Sequence, residues 1–348
     1  MNISRGELLS KLNEASIGLG QGTKKTVAQS DCFIFTTIDE VPTLITFNDE
    51  IMVRIASPLD FNVIVQATEL LAILARIPDD EITVSLINGE FRIKGKTKTR
   101  VAGLVTQAEL AMPLDQIAAP GKWHRLGEGA ARLMQQAAYV CGDDEAQYLA
   151  TCVHVTPDRV EACDNQRMFR SEGATGFPGE ILLPAASLHE LEGLEILKVS
   201  IGEGWCHFKT SGGAIISLRC SHEPYHAGLD AVLEMADPVK LVLPAELKDI
   251  VQRAEVFQDS KFNTRIGIRL SDGLLTITSR KESGWYREKK GIEYSGRDIF
   301  FEIQPQFLCE MLERTRDVLV DDRKMKAESS GVQFVVTLSV KAEEPEEE

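Results

Sequence analysis

The sequence LPAELKDIVQRAEVFQDSKF at residues 243–262 decides the fold prediction, because the same kind of amphipathic helix is predicted at two other places in the chain. Pro244 suits the first turn of this helix, where its missing N–H would have no partner within the helix. The apolar positions recur at helical spacing and form one face: Leu247, Ile250, Val251 and Ala254. Lys248, Gln252 and Arg253 point away from that face.

Three rounds of helix, strands, helix and strands follow one another along the chain. The first helix of each round is predicted to begin near residues 4, 128 and 244, and the second near 67, 184 and 305. The steps are therefore 124 and 116 residues for the first helices, and 117 and 121 for the second helices. This period is too long for a solenoid. We predict an α+β fold of three similar domains, each with two helices on antiparallel sheet, at residues 1–115, 121–235 and 237–348.

Short local signals agree with this organisation. Ser4 and Glu7 form a candidate capping box for the helix that begins near residue 4. The dipeptide Asn88-Gly89 lies between two alternating runs and predicts a hairpin. The third round is predicted to contain the strands TRIGIRL, GLLTITS, GIEYS and DIFFEI after its first helix.

Composition and charge restrict the class of protein. The chain has 348 residues and a net charge of −15, and its apolar runs are far shorter than the ~18 residues of a membrane span. The seven cysteines are scattered and contain no CxxC, which is typical of buried thiols in a reducing compartment. Because the N-terminal sequence lacks an apolar signal core, we expect a cytoplasmic protein. The last residues, up to Glu348, form an acidic tail of unassigned role.

No motif predicts catalysis. The sequence lacks GxSxG, a phosphate-binding P-loop and HExxH. Several cysteines and histidines that could suggest zinc have a spacing that matches no known ligand pattern: Cys206, His207, Cys220, His222 and His226. We therefore expect no metal, no cofactor and no catalytic centre.

The threefold repeat suggests a way to hold DNA despite the acidic composition. Three domains with their helices on one side can close into a curve, and two chains would give a ring of six domains. An acidic protein can hold DNA topologically, or by gathering its basic residues on one face. The solvent-facing positions of the first helices suit such a lining: Arg5, Lys11, Arg132, Gln135, Lys248 and Arg253.

Four segments resemble one known family over essentially the whole chain. They are VEACDNQRMF at 160–169, RAEVFQDSKF at 253–262, EYSGRDIFFEIQPQFLCEML at 293–312 and FVVTLSV at 334–340. In order and spacing they resemble the bacterial DNA polymerase III beta subunit, the sliding clamp. The divergence of the motifs indicates a distant member, of bacterial or phage origin.

The resemblance implies a processivity factor without catalytic activity. Its ring would encircle double-stranded DNA independently of sequence and tether the replicative DNA polymerase, and it would also bind the clamp loader and other clamp-motif proteins. The family's ring is a head-to-tail homodimer. The residues at the corresponding dimer interface are Leu110, Met112, Val256 and Phe257, with an ordinary core position as the alternative for each.

The resemblance also implies a partner-peptide cleft between the second and third domains. Its wall, carried over by position, comprises Leu149, Cys163, Asn165, Arg167, Met168, Pro224, Gln304, Phe307, Val335 and Thr337. The family's Thr-Asp-Gly-His-Arg-Leu is Cys163-Asp164-Asn165-Gln166-Arg167-Met168 here, which suggests a different partner motif. A structural salt-bridged turn of Asp164 and Arg167 is the alternative.

Basic residues are the candidates for contact with DNA phosphates, which position DNA without reading its sequence. The candidates, with a tyrosine at a family position near the DNA strand, are Lys24, Lys25, Lys96, Lys98, Arg100, Arg132, Tyr148, Lys248 and Arg253. Lys96, Lys98 and Arg100 alternate with threonines and are expected to share one face of a strand. A solvated charge run and a core tyrosine are the alternatives. The rival function is a clamp-like scaffold or decoy that binds replication factors without encircling DNA.

Overall fold

Helices and strands alternate along the chain in the order that the repeat predicts. A computed structural model describes residues 1–20, 27–97, 100–107, 117, 120–258 and 264–339. The α-helices in these ranges are α1 Arg5–Ala15, α2 Ala67–Arg76, α3 Ala130–Ala138, α4 Ala185–His189, α5 Leu229–Leu233, α6 Leu247–Glu255 and α7 Pro305–Arg314. A 3-10 helix lies at Glu145–Thr151.

The strands are short, and those whose register is described pair with antiparallel neighbours. The first twelve are β1 Asn2–Ser4, β2 Cys32–Ile38, β3 Val41–Phe47, β4 Ile51–Ala56, β5 Val63–Gln66, β6 Glu81–Ile87, β7 Glu90–Lys94, β8 Val101–Val105, β9 His124–Arg125, β10 Cys152–Thr156, β11 Arg159–Cys163 and β12 Arg167–Glu172. The others are β13 Ile181–Pro184, β14 Ile196–Ile201, β15 Trp205–Thr210, β16 Ile215–Arg219, β17 Val239–Val242, β18 Ile266–Ser271, β19 Leu274–Lys281, β20 Gly284–Gly291, β21 Ile299–Ile303, β22 Asp317–Val320, β23 Lys324–Ser329 and β24 Val332–Thr337.

The chain divides into two compact units. The first comprises Met1–Ala138, His154–Pro157 and Ala174–Glu223, and the second comprises Tyr139–Val153, Asp158–Gly173 and Pro224–Glu348. The division into three domains remains a prediction.

The first unit contains a four-stranded sheet of order β1-β6-β7-β8 and an eight-stranded sheet of order β5-β2-β3-β4-β16-β15-β14-β9. The larger sheet joins two groups of four strands through the antiparallel pair β4–β16. Helices α1 and α2 contact each other, as do α3 and α4. Apolar side chains such as Leu8, Leu12 and Leu70 are fully buried, because α1 and α2 place one face against the strands.

The second unit repeats this construction. One four-stranded sheet has the order β20-β19-β18-β21, and a larger sheet contains the run β11-β12-β24-β23-β22-β17. Helix α6 contacts α7 and packs on β18, β19 and β20. The buried residues of α6 are the predicted apolar face: Leu247, Ile250, Val251 and Ala254.

Local sequence signals set several helix boundaries. Ser4 is the N-cap of α1, and its hydroxyl accepts a hydrogen bond from the Glu7 amide at 3.4 Å. Pro305 occupies the first turn of α7, where a missing N–H costs nothing. The predicted hairpin is present, since Asn88 and Gly89 join β6 to β7 with φ values of 53° and 77°. No helix in the described ranges is long and apolar enough to cross a membrane.

Two strand predictions are wrong. The third round contains β20 at Gly284–Gly291, whereas the sequence predicted a strand at GIEYS, residues 291–295. The expected strand carrying Lys96, Lys98 and Arg100 is also absent from its described part, because β7 ends at Lys94 and pairs there with Val101 of β8. Residues 95–97 and 100 therefore belong to the connection of a hairpin, in which the Gly95 amide donates to the Arg100 carbonyl at 3.1 Å.

Candidate functional site

A tight turn between β11 and β12 lies at the centre of the candidate cleft in the second unit. The carboxylate of Asp164 accepts hydrogen bonds from the amides of Gln166 at 3.0 Å and Arg167 at 2.6 Å. Asn165 has a φ of 70°, a conformation that asparagine tolerates better than most residues. The Asp164 carboxylate also accepts from Nε of Arg167 at 2.8 Å. Asp164 therefore shapes the turn and orients the guanidinium, so the salt-bridged turn is present.

The Arg167 guanidinium connects this turn to helix α7. It donates to both carboxylate oxygens of Glu310 at 2.9 Å and lies 4.5 Å above the centre of the Phe307 ring. Burial lowers the pKa of Arg167, but hydrogen bonds and charge interactions with Asp164 and Glu310 outweigh it and raise the pKa overall. Because Arg167 is only 9% exposed, these charge-assisted bonds fix a cation over an aromatic face.

Three apolar residues of the candidate cleft are buried. Met168 of β12 pairs directly with Val335 of β24, and each is 1% exposed. Phe307, on α7, is 6% exposed. These three residues belong to the core of the second unit in this conformation, and Arg167 covers the ring of Phe307.

Hydrogen bonds join the end of β24 to the same turn. The carbonyl of Gln166 accepts from the Thr337 amide at 2.8 Å and from the Thr337 hydroxyl at 3.2 Å. The Gln166 side chain accepts from Nε2 of Gln304 at 2.9 Å. Turn, strand end and helix start are thereby held in one polar cluster, with Thr337 exposed at its surface.

The 3-10 helix at Glu145–Thr151 contacts the same turn. The Asn165 side chain donates to Oε1 of Gln147 at 2.6 Å, and Gln147 donates to the Asp144 carboxylate at 3.1 Å. Leu149, in the same 3-10 helix, is half-buried. The exposed amide of Asn165 is therefore held in place by a neighbouring side chain.

The segment that begins at Pro224 contacts the strand before this turn. The hydroxyl of Tyr225 lies 3.5 Å from Sγ of Cys163, and Pro224 is exposed. Burial raises the pKa of both the Tyr225 hydroxyl and the Cys163 thiol. Both groups are therefore neutral at physiological pH, which suits a binding wall and not a thiolate nucleophile.

A buried ion pair anchors the segment that follows Tyr225. Arg170 of β12 donates to Glu161 of β11 at 2.8 Å, and both side chains are nearly inaccessible. Arg170 also donates to the exposed carboxylate of Asp230 in α5 at 2.5 Å. At the other end of α5, Nζ of Lys324 donates to the carbonyl of Val232 at 3.1 Å. These contacts hold the segment on β12 and β23.

The structure thus places the cleft residues in two groups. Asn165, Arg167, Gln304 and Thr337 lie on or next to the turn, whereas Met168 and Val335 lie in the sheet beneath. Cys163, Pro224 and Leu149 flank the turn on elements of the same unit. Sequence reasoning missed Glu310, Gln166 and Tyr225. Glu310 lies three residues after Phe307, so helical spacing could have placed it on the same face of α7.

The two DNA candidates on α6 are exposed, as predicted, but each has an acidic partner. Nζ of Lys248 lies 2.9 Å from Oε1 of Glu313. Arg253 donates to Glu288 in a bidentate manner at 2.9–3.1 Å and to the Tyr286 hydroxyl at 2.9 Å. Hydrogen bonds to these partners raise the pKa of both Lys248 and Arg253. Both groups stay cationic, and their charge is locally balanced.

The other DNA candidates are dispersed over several elements. Arg132 is exposed on α3, and Tyr148 is 41% exposed on the 3-10 helix, so it is not a core tyrosine. Lys96 is exposed, and Arg100 lies 3.3 Å from the Asp79 carboxylate, both on the hairpin connection. Three candidates lie outside the described residues: Lys24, Lys25 and Lys98.

The candidate interface residues Val256 and Phe257 follow α6 directly. Val256 is 62% exposed. The Phe257 ring stacks on Tyr286 of β20 with centroids 6.3 Å apart, and Nζ of Lys281 lies 5.7 Å from its centre. Phe257 is therefore half-buried against the edge of the sheet, and Val256 is not a core residue. Leu110 and Met112 lie outside the described residues.

Comparison with known proteins identifies the fold. No family model matches the chain, and no curated protein matches it by sequence. Among solved structures, a DNA polymerase sliding clamp from Pseudomonas aeruginosa covers 98% of this chain and 99% of its own, with TM-score 0.83 and 16% identity. The DNA polymerase III beta subunit from Thermotoga maritima covers the same shares with TM-score 0.81 and 18% identity. The beta chain from Streptococcus pneumoniae has TM-score 0.83 and 14% identity. The chain therefore has the α+β fold of the DNA polymerase III beta sliding clamps, in a sequence that has diverged far from them.

Proposed function

We propose that this protein is a DNA polymerase sliding clamp that closes into a ring around duplex DNA and tethers a polymerase to it. The observation that carries the proposal is the fold likeness over 98% of the chain and 99% of the Pseudomonas aeruginosa clamp. The proposal includes no catalytic role, and the partners are a polymerase, a clamp loader and other proteins that carry short clamp-binding peptides.

Ring closure is supported by the way the sheets of this chain are built. The pair β4–β16 joins two four-stranded groups into one sheet, whereas the sheets β1-β6-β7-β8 and β20-β19-β18-β21 are each half that size. Strand β8 has exposed Val101 and Val105 at 57% and 78%, and β20 has Trp285 at 65%. Exposed edge strands with apolar side chains are templates for pairing with another chain. Pairing of β8 with β20 of a second copy would give a heterologous, head-to-tail contact of the kind that closes rings.

The position of Phe257 agrees with this seam. Its ring stacks on Tyr286 of β20, and its neighbour Val256 is exposed beside it. An apolar side chain next to an unpaired strand edge would be buried by a strand added at that edge. Val256, Phe257 and β20 therefore form one candidate seam in the second unit, with Leu110 and Met112 as its proposed partners from the first unit of the other copy.

The partner-peptide cleft is proposed at the turn of Asp164 and Arg167. Its exposed polar groups are those of Asn165 and Thr337, and Pro224 supplies an exposed apolar surface. Phe307 and its neighbours in the sheet are covered, so an entering apolar side chain has to displace Arg167 from the Phe307 ring. We infer that the partner peptide of this protein replaces the contacts of Arg167 that it breaks, which requires an acidic or hydrogen-bonding group beside the apolar one.

Sliding on DNA requires weak contacts inside the ring, and the ion pairs of Lys248 and Arg253 fit this requirement. Balanced cations attract phosphates less than free ones, so the affinity for DNA would come from topology. The tether then acts through effective concentration, because a partner held to the ring stays near the primer end even when its peptide binds weakly.

End-blocked DNA tests encirclement. The protein would be assembled on a linear duplex by concentrating it in the presence of the DNA, and the ends would then be blocked with bulky protein adducts. We expect retention on the blocked duplex and rapid loss when the ends are free. Equal retention on both duplexes would contradict encirclement.

A second candidate function, a clamp-like scaffold that does not encircle DNA, is favoured by one observation. Lys248 and Arg253 are each neutralised by a carboxylate of the same chain, at 2.9 Å in both cases. Cations that are balanced by nearby carboxylates attract DNA phosphates only weakly. The end-blocking experiment separates the two functions, since a scaffold would be retained on neither duplex.

A further inference from the structure

A row of basic side chains crosses the eight-stranded sheet of the first unit. Strand register places Arg125 of β9 opposite Lys198 of β14, and Lys198 opposite Lys209 of β15. The row continues through Ile215 of β16 to Arg54 of β4. Residues that are directly opposite in antiparallel strands share one face of the sheet. Four cations therefore lie on one face, in a line that runs across the strands.

This row lacks acidic counter-charges. Its register positions hold no Asp or Glu, and within the described residues Arg125, Lys198 and Lys209 make no ion pair. Neighbouring strands are about 4.8 Å apart, so these three cations face one another across roughly 10 Å. Like charges directly opposite each other destabilise a sheet. In a chain of net charge −15, an uncompensated row of this kind indicates an anionic ligand.

The adjacent row on the same face contains hydrogen-bonding groups without partners. Ser200 pairs directly with His207, and His207 pairs with Ser217, each two residues from the basic row. Nδ1 of His207 lies 2.8 Å from the Ser217 hydroxyl. Its Nε2 and the Ser200 hydroxyl are buried and have no hydrogen-bond partner in the part of the chain that the structure describes. Ser200 and His207 are 0% and 1% exposed, so the protein covers this row and the basic row is the part of the face that a ligand can reach.

An aromatic residue stands at the end of these rows. Trp123 immediately precedes β9, two residues before Arg125, and is half-buried. Lys122, next to it, is exposed. The accessible part of the face therefore combines a line of cations with an aromatic ring at its end.

We propose that this face of the first unit binds single-stranded nucleic acid, with the phosphates on the row Arg125, Lys198 and Lys209 and a base against Trp123. Proteins that bind single strands without sequence preference combine a basic track with aromatic stacking. A single strand that lies across the strands of an antiparallel sheet meets one cation at each strand. This site is separate from the ring lining and does not depend on encirclement of duplex DNA.

An acidic peptide is the competing ligand, and the observations favour the nucleic acid. A peptide of carboxylates would use the cations alone. The half-buried ring of Trp123 beside them would then have no role in binding. A nucleotide supplies both a phosphate for the cations and a ring for Trp123.

Binding of labelled oligo(dT) to the full-length protein, followed by fluorescence anisotropy, tests the proposal. The variant Lys198→Gln/Lys209→Gln removes two phosphate contacts, so the slope of log K against log salt should become smaller by about 1.4. Binding near 50 mM salt should then be about 60-fold weaker, if the two proteins bind equally at 1 M salt. Trp123→Leu should weaken binding by a similar factor without changing the salt slope. Because the lysine variant removes like charges that oppose each other, its melting temperature should not fall.

A matched control is Lys240→Gln/Arg323→Gln, which removes two exposed cations from the second unit and should leave the slope unchanged. Three results would overturn the proposal. One is an absence of saturable oligo(dT) binding by the wild-type protein. Another is an equal decrease of the salt slope in the variant Lys198→Gln/Lys209→Gln and in the control variant. The third is binding of a labelled KAEEPEEE peptide, which has the sequence of residues 341–348, by the wild-type protein that is lost in the lysine variant while oligo(dT) binding is unchanged.

Discussion

Replacement of Arg170 by methionine isolates the buried ion pair that anchors the wall of the cleft. Arg170 and Glu161 are 4% and 3% exposed, and the guanidinium donates to the carboxylate at 2.8 Å. Arg170→Met leaves Glu161 charged in the core of the second unit, with the longer 4.0 Å contact to Nε of Arg159. Removing one member of a buried pair costs about 3–5 kcal/mol, because the remaining charge keeps its desolvation penalty.

The double variant Arg170→Met/Glu161→Leu should recover most of that loss. With both charges removed, two apolar side chains fill a buried site, and such replacements are neutral or stabilising by about 1–4 kcal/mol relative to the ion pair. Asp230→Asn is the matched single change at the other end of the network. The Asp230 side chain is 82% exposed, so its loss should affect stability far less than the loss of Arg170.

Urea denaturation of the four proteins, followed by circular dichroism, gives the required free energies. A change in midpoint at constant m-value would report stability alone. The prediction is refuted if Arg170→Met lowers the free energy of unfolding by less than about 1 kcal/mol, or if the double variant is as unstable as the single variant. Either result would mean that Glu161 is not desolvated in the folded protein, or that Arg159 replaces Arg170 as its partner.

Two further predictions concern a buried histidine and the ring seam. Burial, with a smaller contribution from the charge of Arg54, lowers the pKa of His207 to about 4. The unfolded chain therefore binds a proton at His207 between pH 6.5 and 4, whereas the folded protein does not. The free energy of unfolding is at its full value above about pH 6.5 and falls by up to about 3 kcal/mol as the pH falls towards 4. His207→Gln should flatten the stability curve between these pH values; a curve parallel to that of the wild type would show that His207 does not titrate there. Phe257→Asp should convert a dimer of 77 kDa, twice 38.5 kDa, into a monomer in sedimentation, and an unchanged mass would exclude Phe257 from the seam.

Helix positions were predictable because their signals are local. The apolar spacing from Leu247 to Ala254 gave the buried face of α6, and Ser4 and Pro305 gave the starts of α1 and α7. Strand β20 was missed because the residues after Trp285 are mostly charged. An edge strand tolerates such a composition, since half of its positions face solvent.

The chemistry of the site depended on contacts that no local pattern contains. Arg167 and Glu310 are 143 residues apart, and their pairing follows from the packing of α7 near β12. The basic row likewise requires the register of three strands, one of which, β9, has only two residues. Sequence reasoning found basic residues by their runs along the chain, and the run at Lys96 is a hairpin connection.

Retention on circular DNA distinguishes enclosure of the duplex from binding to its surface. The protein is assembled on a nicked circular duplex, the circle is cut once with a restriction enzyme, and the bound fraction is followed before and after cutting together with the mass of the free protein in solution. We expect the wild-type protein to be a dimer that stays on the circle and leaves the DNA after the cut. The Phe257→Asp variant should be retained on neither the circular nor the linear form. A bound fraction of the wild-type protein that is unchanged by linearisation would contradict enclosure.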